Sequence, residues 1–178
     1  AESLIDTFLK AGEIAKEISN RGVKITIKPD KSPVTDGDLA VDKLLRTKIE
    51  SLTPNISTVS EESVNPKTKI EEKNFWLIDP IDGTRDYIKK KDEYTLNAAL
   101  IIDLKPVAGI IYAPAKERLF FSYGKNLAYE TFKGKTFQLN CGKKNSGKVI
   151  GLENSNHTPI DILNIYKKHN VSKTLKIS

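Results

Sequence analysis

The sequence predicts an α+β fold: two N-terminal helices packed on a large, mainly antiparallel sheet, followed by the start of a truncated α/β second domain. Three observations carry this. Leu4, Phe8, Ala11, Ala15 and Ile18 recur at steps of four and three, which makes one apolar stripe of a helix. From Tyr94 onward, short apolar stretches alternate with tight turns. After a polar linker, a β-α-β pattern begins afresh.

Taken in order, the first helix spans Ser3 to Ser19, and Gly22 breaks it. Val23 to Lys28 alternates as a short strand, and Lys28 to Pro33 is a charged, turn-rich loop, a candidate lid. Thr35-Asp36-Gly37-Asp38 opens a second helix, with Ala40, Val41, Leu44, Leu45, Ile49 and Leu52 on its buried side. Thr35 is its N-cap, and acids in the first turn complement the helix dipole. Pro54 closes the helix, and Ile56 to Ser60 is a strand running into Glu61-Glu62-Ser63. Val64 to Lys73 reads as a surface loop.

The next strand, ending in Trp76-Leu77-Ile78, stops in Asp79-Pro80-Ile81-Asp82-Gly83-Thr84. Pro80 has no N–H for a paired strand, so Asp79 is expected at the last strand position, on the rim of the sheet. If the strands at 56–60 and 74–78 are neighbours, Glu61 leaves by the same rim. Arg85 to Lys91 reads as a short helical turn with a solvated lysine run. Thr95 to Ile102, Val107 to Tyr112, Arg118 to Tyr123 and Asn126 to Thr131 are strands with short connections, hence an antiparallel meander. Gly134 to Gly147 reads as a linker; Val149 to Leu152, Pro159 to Lys168 and Leu175 to Ile177 read as strand, helix and strand.

Composition narrows the class. With 178 residues, 38% hydrophobic and 29% charged, the chain suits one sizeable globular domain and a little more. No apolar run reaches the roughly 20 residues of a membrane span. The single Cys141 and the lack of an opening signal segment lead to the expectation of a cytoplasmic protein. A net charge of +6 serves solubility or attracts a small polyanion. The scattered lysines form no aromatic-basic motif, so nucleic acid is not an expected partner.

Glu61, Asp79 and Asp82 at strand ends are an all-oxygen set suited to Mg²⁺. His157 and His169 are isolated, which argues against zinc. Close carboxylates repel without a cation. Gly83 permits a close backbone approach, and the amides of Gly83 and Thr84 can face a phosphate. A threonine hydroxyl paired with a carboxylate, for which Asp38 is the candidate, could orient an attacking water. An EF-hand with Gly83 at its sixth position fails, because its first, third and twelfth positions are Ile78, Pro80 and Lys89. The Asp-x-Asp-Gly-Thr of haloacid-dehalogenase phosphatases fails too, because Pro80 stands two before Asp82; no aspartyl-phosphate step is expected.

Asp79-Pro80-Ile81-Asp82-Gly83-Thr84 resembles the signature of the inositol-monophosphatase-like superfamily of Mg²⁺-dependent, lithium-sensitive phosphatases. Ser60-Glu61-Glu62-Ser63 is similar to its Gly-Glu-Glu-Ser segment, with Ser60 replacing the usual Gly, and Ser32-Pro33-Val34-Thr35-Asp36-Gly37-Asp38 to its Ser-Pro-Val-Thr-x-x-Asp segment. Arg85 to Lys89, Glu93 to Ile101 and Pro106 to Pro114 resemble the bacterial 3'(2'),5'-bisphosphate nucleotidases within it.

The resemblance implies a layered sugar-phosphatase-like fold and more than one Mg²⁺ in the complete site. By it, Glu61, Asp79, Asp82 and the main-chain oxygen of Ile81 are metal ligands. Thr84 with Asp38 activates the nucleophilic water, Glu61 takes part in catalysis, and Asp82, Gly83 and Thr84 contact the substrate phosphate. The implied substrate is adenosine 3',5'-bisphosphate, hydrolysed to AMP and phosphate, in the cytoplasm or at the periphery of the inner membrane. Phosphatases of the same fold acting on inositol or sugar phosphates are the nearest alternative. The family's further metal-binding Asp, in a Trp-Asp-x-Ala segment, has no counterpart, since the one tryptophan, Trp76, precedes Leu77. With no initial Met and an end at Ser178, the chain is expected to be an N-terminal fragment: residues 1–140 a metal- and phosphate-binding domain, and 148–178 the beginning of a C-terminal one. Such a piece could also be a non-catalytic metal- or nucleotide-binding domain.

Overall fold

The computed structural model describes residues 1–63, 72–140, 149–154 and 158–177. It divides into two units, Ala1–Leu139 and Asn140–Ser178. Most of the loop expected at Val64–Lys73, together with Cys141 and His157, lies outside the described residues.

In the first unit a 3-10 turn, Glu2–Leu4, leads into α1, Ile5–Arg21. The expected stripe is the buried face: Leu4, Phe8, Ala11, Ala15 and Ile18 are all closed to solvent. Gly22 ends the helix at φ 94°, a conformation that glycine adopts without a Cβ clash. Two three-residue strands follow, β1 (Ile25–Ile27) and β2 (Pro33–Thr35), paired antiparallel. The segment read as a loop from Lys28 to Pro33 therefore ends in a strand. Its tip is closed by Lys28 N–H donating to Ser32 O at 2.9 Å and by Ser32 turning back on the Asp30 carboxylate. Helix α2, Asp36–Leu52, buries Val41, Leu45 and Ile49 and packs beside α1.

Among the described residues the sheet has seven strands in the order β3 (Ser57–Ser60), β4 (Phe75–Asp82), β5 (Thr95–Ile102), β6 (Lys105–Ala113), β7 (Arg118–Tyr123), β8 (Ala128–Phe132), β9 (Lys135–Gln138). Among the described residues of this sheet only β3 and β4 run parallel; its other pairs are antiparallel. One face, with Trp76, Ile78, Leu96, Ala98, Ile110, Tyr112, Leu119 and Phe121, packs into the same core as α1 and α2. Period-two alternation leaves Leu77 and Ile111 on the other face, 44% and 47% exposed. An apolar trough of about 480 Å³ lies there, lined among others by Leu77, Asp79, Ala99, Gly109 and Phe120.

Two expectations need correction. The segment read wholly as linker begins with a strand, β9, because the Lys133-Gly134 turn sends the chain back along β8. Its residues are exposed on both faces, so no apolar alternation marks it. Residues 141–147 of that segment lie outside the described residues. Nor does β4 stop at Asp79. Asp79 pairs with Asn97 and Asp82 with Thr95, so β4 spends three steps against two on β5. This is a β-bulge, a place where a strand tolerates a proline.

In the second unit β10 (Val149–Asn154) and β11 (Val171–Ile177) pair in parallel, and α4 (Ile160–Lys168) connects them. β11 is longer than the expected Leu175–Ile177. Among the described residues no helix is long and apolar enough to cross a membrane.

Candidate active site

The bulge in β4 sets the geometry. On a regular strand, residues three apart face opposite ways. The extra residue returns Asp82 to the face of Asp79, because their partners Asn97 and Thr95 are two apart on β5. Two carboxylates thus share one side of the strand end. The parallel register of β3 with β4, Ser60 against Ile78, brings the Glu61-Glu62 turn to the same rim. Glu61 N–H donates to Ile78 O at 3.1 Å, one residue before Asp79.

Gly83 then turns the chain at φ 91°. A Cβ here would lie 2.7 Å from Glu93 O, so a side chain is excluded by the backbone twice over. The turn starts the short helix α3, Thr84–Ile88, whose first amides have no partner within the helix. Its buried Tyr87 anchors it, donating to Ala15 O of α1 at 2.7 Å.

Asp38 approaches from the other side. It is the third residue of α2 and completes a capping box with Thr35: Asp38 Oδ2 accepts from Thr35 N–H at 2.8 Å and from Thr35 Oγ1 at 2.5 Å. That leaves Oδ1, which stands 3.3 Å from Thr84 Oγ1. The Thr84 hydroxyl also stands 3.1 Å from Ile81 O. Asp38 therefore caps its helix with one oxygen and meets Thr84 with the other. Burial pushes the Asp38 carboxyl above the ordinary aspartate range, although its hydrogen bonds pull the other way.

Asp79 Oδ1 is buried with no hydrogen-bond partner among the described residues. Burial, with the charges of Glu61 and Asp82 nearby, raises it to about 7. An orphaned carboxylate oxygen among further carboxylates, in an all-oxygen set, fits a hard divalent cation. Glu61, Asp79 and Asp82, with the Ile81 carbonyl, are the groups that would hold it. Among the described residues, no three acidic, histidine or cysteine side chains stand as a metal-holding set, so the structure does not draw Glu61, Asp79 and Asp82 together into one. Glu61 is exposed and lies 3.5 Å from the Lys28 ammonium.

Lys28 is a participant that sequence reasoning missed. Its Nζ lies 2.9 and 3.0 Å from the two carboxylate oxygens of Glu62, whose side chain is only 5% exposed. Burial works against the Lys28 charge, but Glu62 and Glu61 outweigh it and hold the ammonium above its ordinary range. The signal was available only as a lysine in a loop ahead of the Ser-Pro-Val-Thr segment. Asp36 accepts from Arg21 at 3.1 Å and from Lys24 N–H at 2.9 Å and serves the α1–α2 connection.

Comparison with known proteins gives one consistent result. The model of the inositol monophosphatase family matches residues 2–177. A 3'(2'),5'-bisphosphate nucleotidase CysQ of Escherichia coli is 32% identical over 143 residues, 78% of this chain and 54% of that protein. The chain spans about half the length of the curated relatives it matches. The crystal structure of CysQ from Bacteroides thetaiotaomicron superposes with a TM-score of 0.69 at 24% identity, covering 99% of this chain and 71% of that one. An IMPase/NADP phosphatase complexed with NADP and Ca²⁺ superposes with a TM-score of 0.75 at 19% identity, covering 98% and 66%.

Proposed function

The chain belongs to the inositol monophosphatase family, and on that premise we propose that the full-length protein is a Mg²⁺-dependent phosphomonoesterase that hydrolyses adenosine 3',5'-bisphosphate to AMP and phosphate. The observation that carries the chemistry is the Thr84 hydroxyl poised between Ile81 O and Asp38 Oδ1, on the turn that follows the strand carrying Asp79. That hydroxyl has one proton and two acceptors. When it donates to Asp38, its lone pairs are free to accept from a water and orient that water toward a phosphorus atom. Asp38, raised by burial, is a better proton acceptor than an ordinary aspartate, so the proton passes from water through Thr84 Oγ1 to Asp38 Oδ1. The amides at Gly83 and Thr84 hold the phosphate from the side of α3. When bound by Glu61, Asp79, Asp82 and Ile81 O, Mg²⁺ would supply charge neutralisation at the phosphoryl oxygens and a more acidic water.

The bisphosphate nucleotide is favoured over an inositol or sugar phosphate by the relatives' names and by the residues following Thr84. A cytoplasmic location goes with this reading. Phosphate release from adenosine 3',5'-bisphosphate and from inositol 1-phosphate, measured on the full-length protein with Mg²⁺, tests it. Preference for the inositol ester would overturn the substrate assignment. For these 178 residues alone a binding role without turnover is the second reading, since they contain no Trp-Asp-x-Ala segment. Turnover by this chain in isolation would remove it.

A further inference from the structure

We propose that Asp42 and Ser60 form a positioning pair that locks the Glu61-Glu62 turn onto α2 and thereby sets the affinity of the site for a divalent cation. The proposal rests on the reading above and deepens it. Asp42 follows Asp38 by four residues on α2, so the two leave the same side of the helix. Asp38 reaches Thr84, two residues past the end of β4; Asp42 reaches Ser60, at the end of β3. One helix face thus gauges both strand ends.

The contact is built and buried. Asp42 is 4% exposed and Ser60 is fully closed to solvent. Ser60 Oγ donates to Asp42 Oδ1 at 2.5 Å, and Arg46 Nε donates to Asp42 Oδ2 at 2.9 Å. Both oxygens of Asp42 are engaged, which suits an anchor rather than a ligand. Ser60 distributes the constraint onward. Its Oγ accepts from Glu62 N–H at 3.4 Å, and its carbonyl accepts from Ser63 N–H at 3.0 Å and Ser63 Oγ at 3.2 Å. Together with Glu61 N–H on Ile78 O, these bonds fix the backbone on both sides of Glu61.

Groups that orient a ligand typically alter metal affinity by about 10–100-fold when removed. Ser60→Ala deletes the hydroxyl with little change of volume, and Asp42→Asn keeps the shape of the anchor while removing its charge. The test is a Mn²⁺ titration of the full-length protein followed by the electron paramagnetic resonance signal of the free ion, without substrate. Each variant is expected to weaken Mn²⁺ binding by about tenfold, and the double variant by no more than the weaker-binding single one. Leu119→Ala, a core change on β7, four strands along the sheet from β3, is expected to lower the melting temperature and keep wild-type affinity. Unchanged affinity in folded Ser60→Ala and Asp42→Asn, beside a clear loss in Glu61→Gln, would overturn the pair and leave the metal reading standing. An equal loss of affinity in Leu119→Ala would overturn it as well, since the effect would then be general loosening. A wild-type protein that takes up no Mn²⁺ would overturn both.

Discussion

Thr84 and Asp38, 46 residues apart in sequence, meet with 3.3 Å between hydroxyl and carboxylate oxygens, and the meeting depends on two local devices. The capping box holds Asp38 by its other oxygen, and the bulge at Pro80 with the Gly83 turn delivers Thr84. Removing the hydroxyl in Thr84→Ala should lower kcat by about 10²–10⁴, the span of general acid–base assistance, with little change in KM. Thr84→Ser keeps the hydroxyl and should retain most activity. Steady-state kinetics on the full-length protein checks this, and equal activity of the Ala and Ser variants would remove Thr84 from the proton path.

Lys28 and Glu62 are a test of burial. Lys28→Met leaves the Glu62 carboxylate, 5% exposed, without its cation. Breaking a buried pair costs about 3–5 kcal/mol, and the 20% exposure of Lys28 argues for the lower part of that span. Arg118 and Glu130, 2.6 Å apart but with the arginine side chain 47% exposed, should lose about 0–1 kcal/mol in Arg118→Met. Urea denaturation of both variants gives the comparison; equal costs would show that Glu62 finds another partner.

Tyr87 joins α3 to α1 and presses on Gly37 of α2. A Cβ at Gly37 would stand 2.5 Å from the Tyr87 hydroxyl and 2.9 Å from its ring. Tyr87→Phe removes the bond to Ala15 O and should cost about 0.5–1.5 kcal/mol. Gly37→Ala should cost more in the wild type than in the Tyr87→Phe background, because part of the clash is with the hydroxyl. The ring carbons remain, so relief is incomplete. A double-mutant cycle by denaturation measures the difference, and additive costs would mean that the helix shifts away instead.

Much of the fold was legible because burial imposes periodicity. The stripe from Leu4 to Ile18 and the limits of the strands Thr95–Ile102 and Arg118–Tyr123 follow from alternation between core and solvent. Where nothing is buried, no pattern forms, and the edge strand β9 went unread as a strand. The three-residue β2 is too short for any period. At the site, residue types suggested Glu61, Asp79, Asp82 and Thr84, and the structure brings Asp38 to Thr84. Hydrogen bonds between distant residues have no local signature, so Lys28 on Glu62 and Ser60 on Asp42 emerged only from the structure. The bulge at Pro80 lay between: the proline was visible, but a broken strand and a bulged one read alike.

The strain on Asp79 should be measurable without any catalysis. Its carboxyl is raised to about 7 by burial and by the nearby Glu61 and Asp82 charges. In the unfolded chain it titrates near the ordinary value of about 3.9. Below that value both states hold the proton and Asp79 is neutral in its effect. Between there and about 7 the folded state keeps a proton that the unfolded state releases, so stability falls as pH rises. Above about 7 both states are ionised and the penalty is at its full size. Thermal melts of the protein in chelator from pH 5 to 8.5 should therefore show a decline that Asp79→Asn flattens, with the variant the more stable of the two at pH 8. A divalent cation that uses the orphaned oxygen reverses the order: Mg²⁺ at pH 8 should raise the melting temperature of the wild type and leave Asp79→Asn nearly unmoved. A wild-type decline no steeper than that of the Asn variant, or equal responses to Mg²⁺, would take Asp79 out of the metal-binding group.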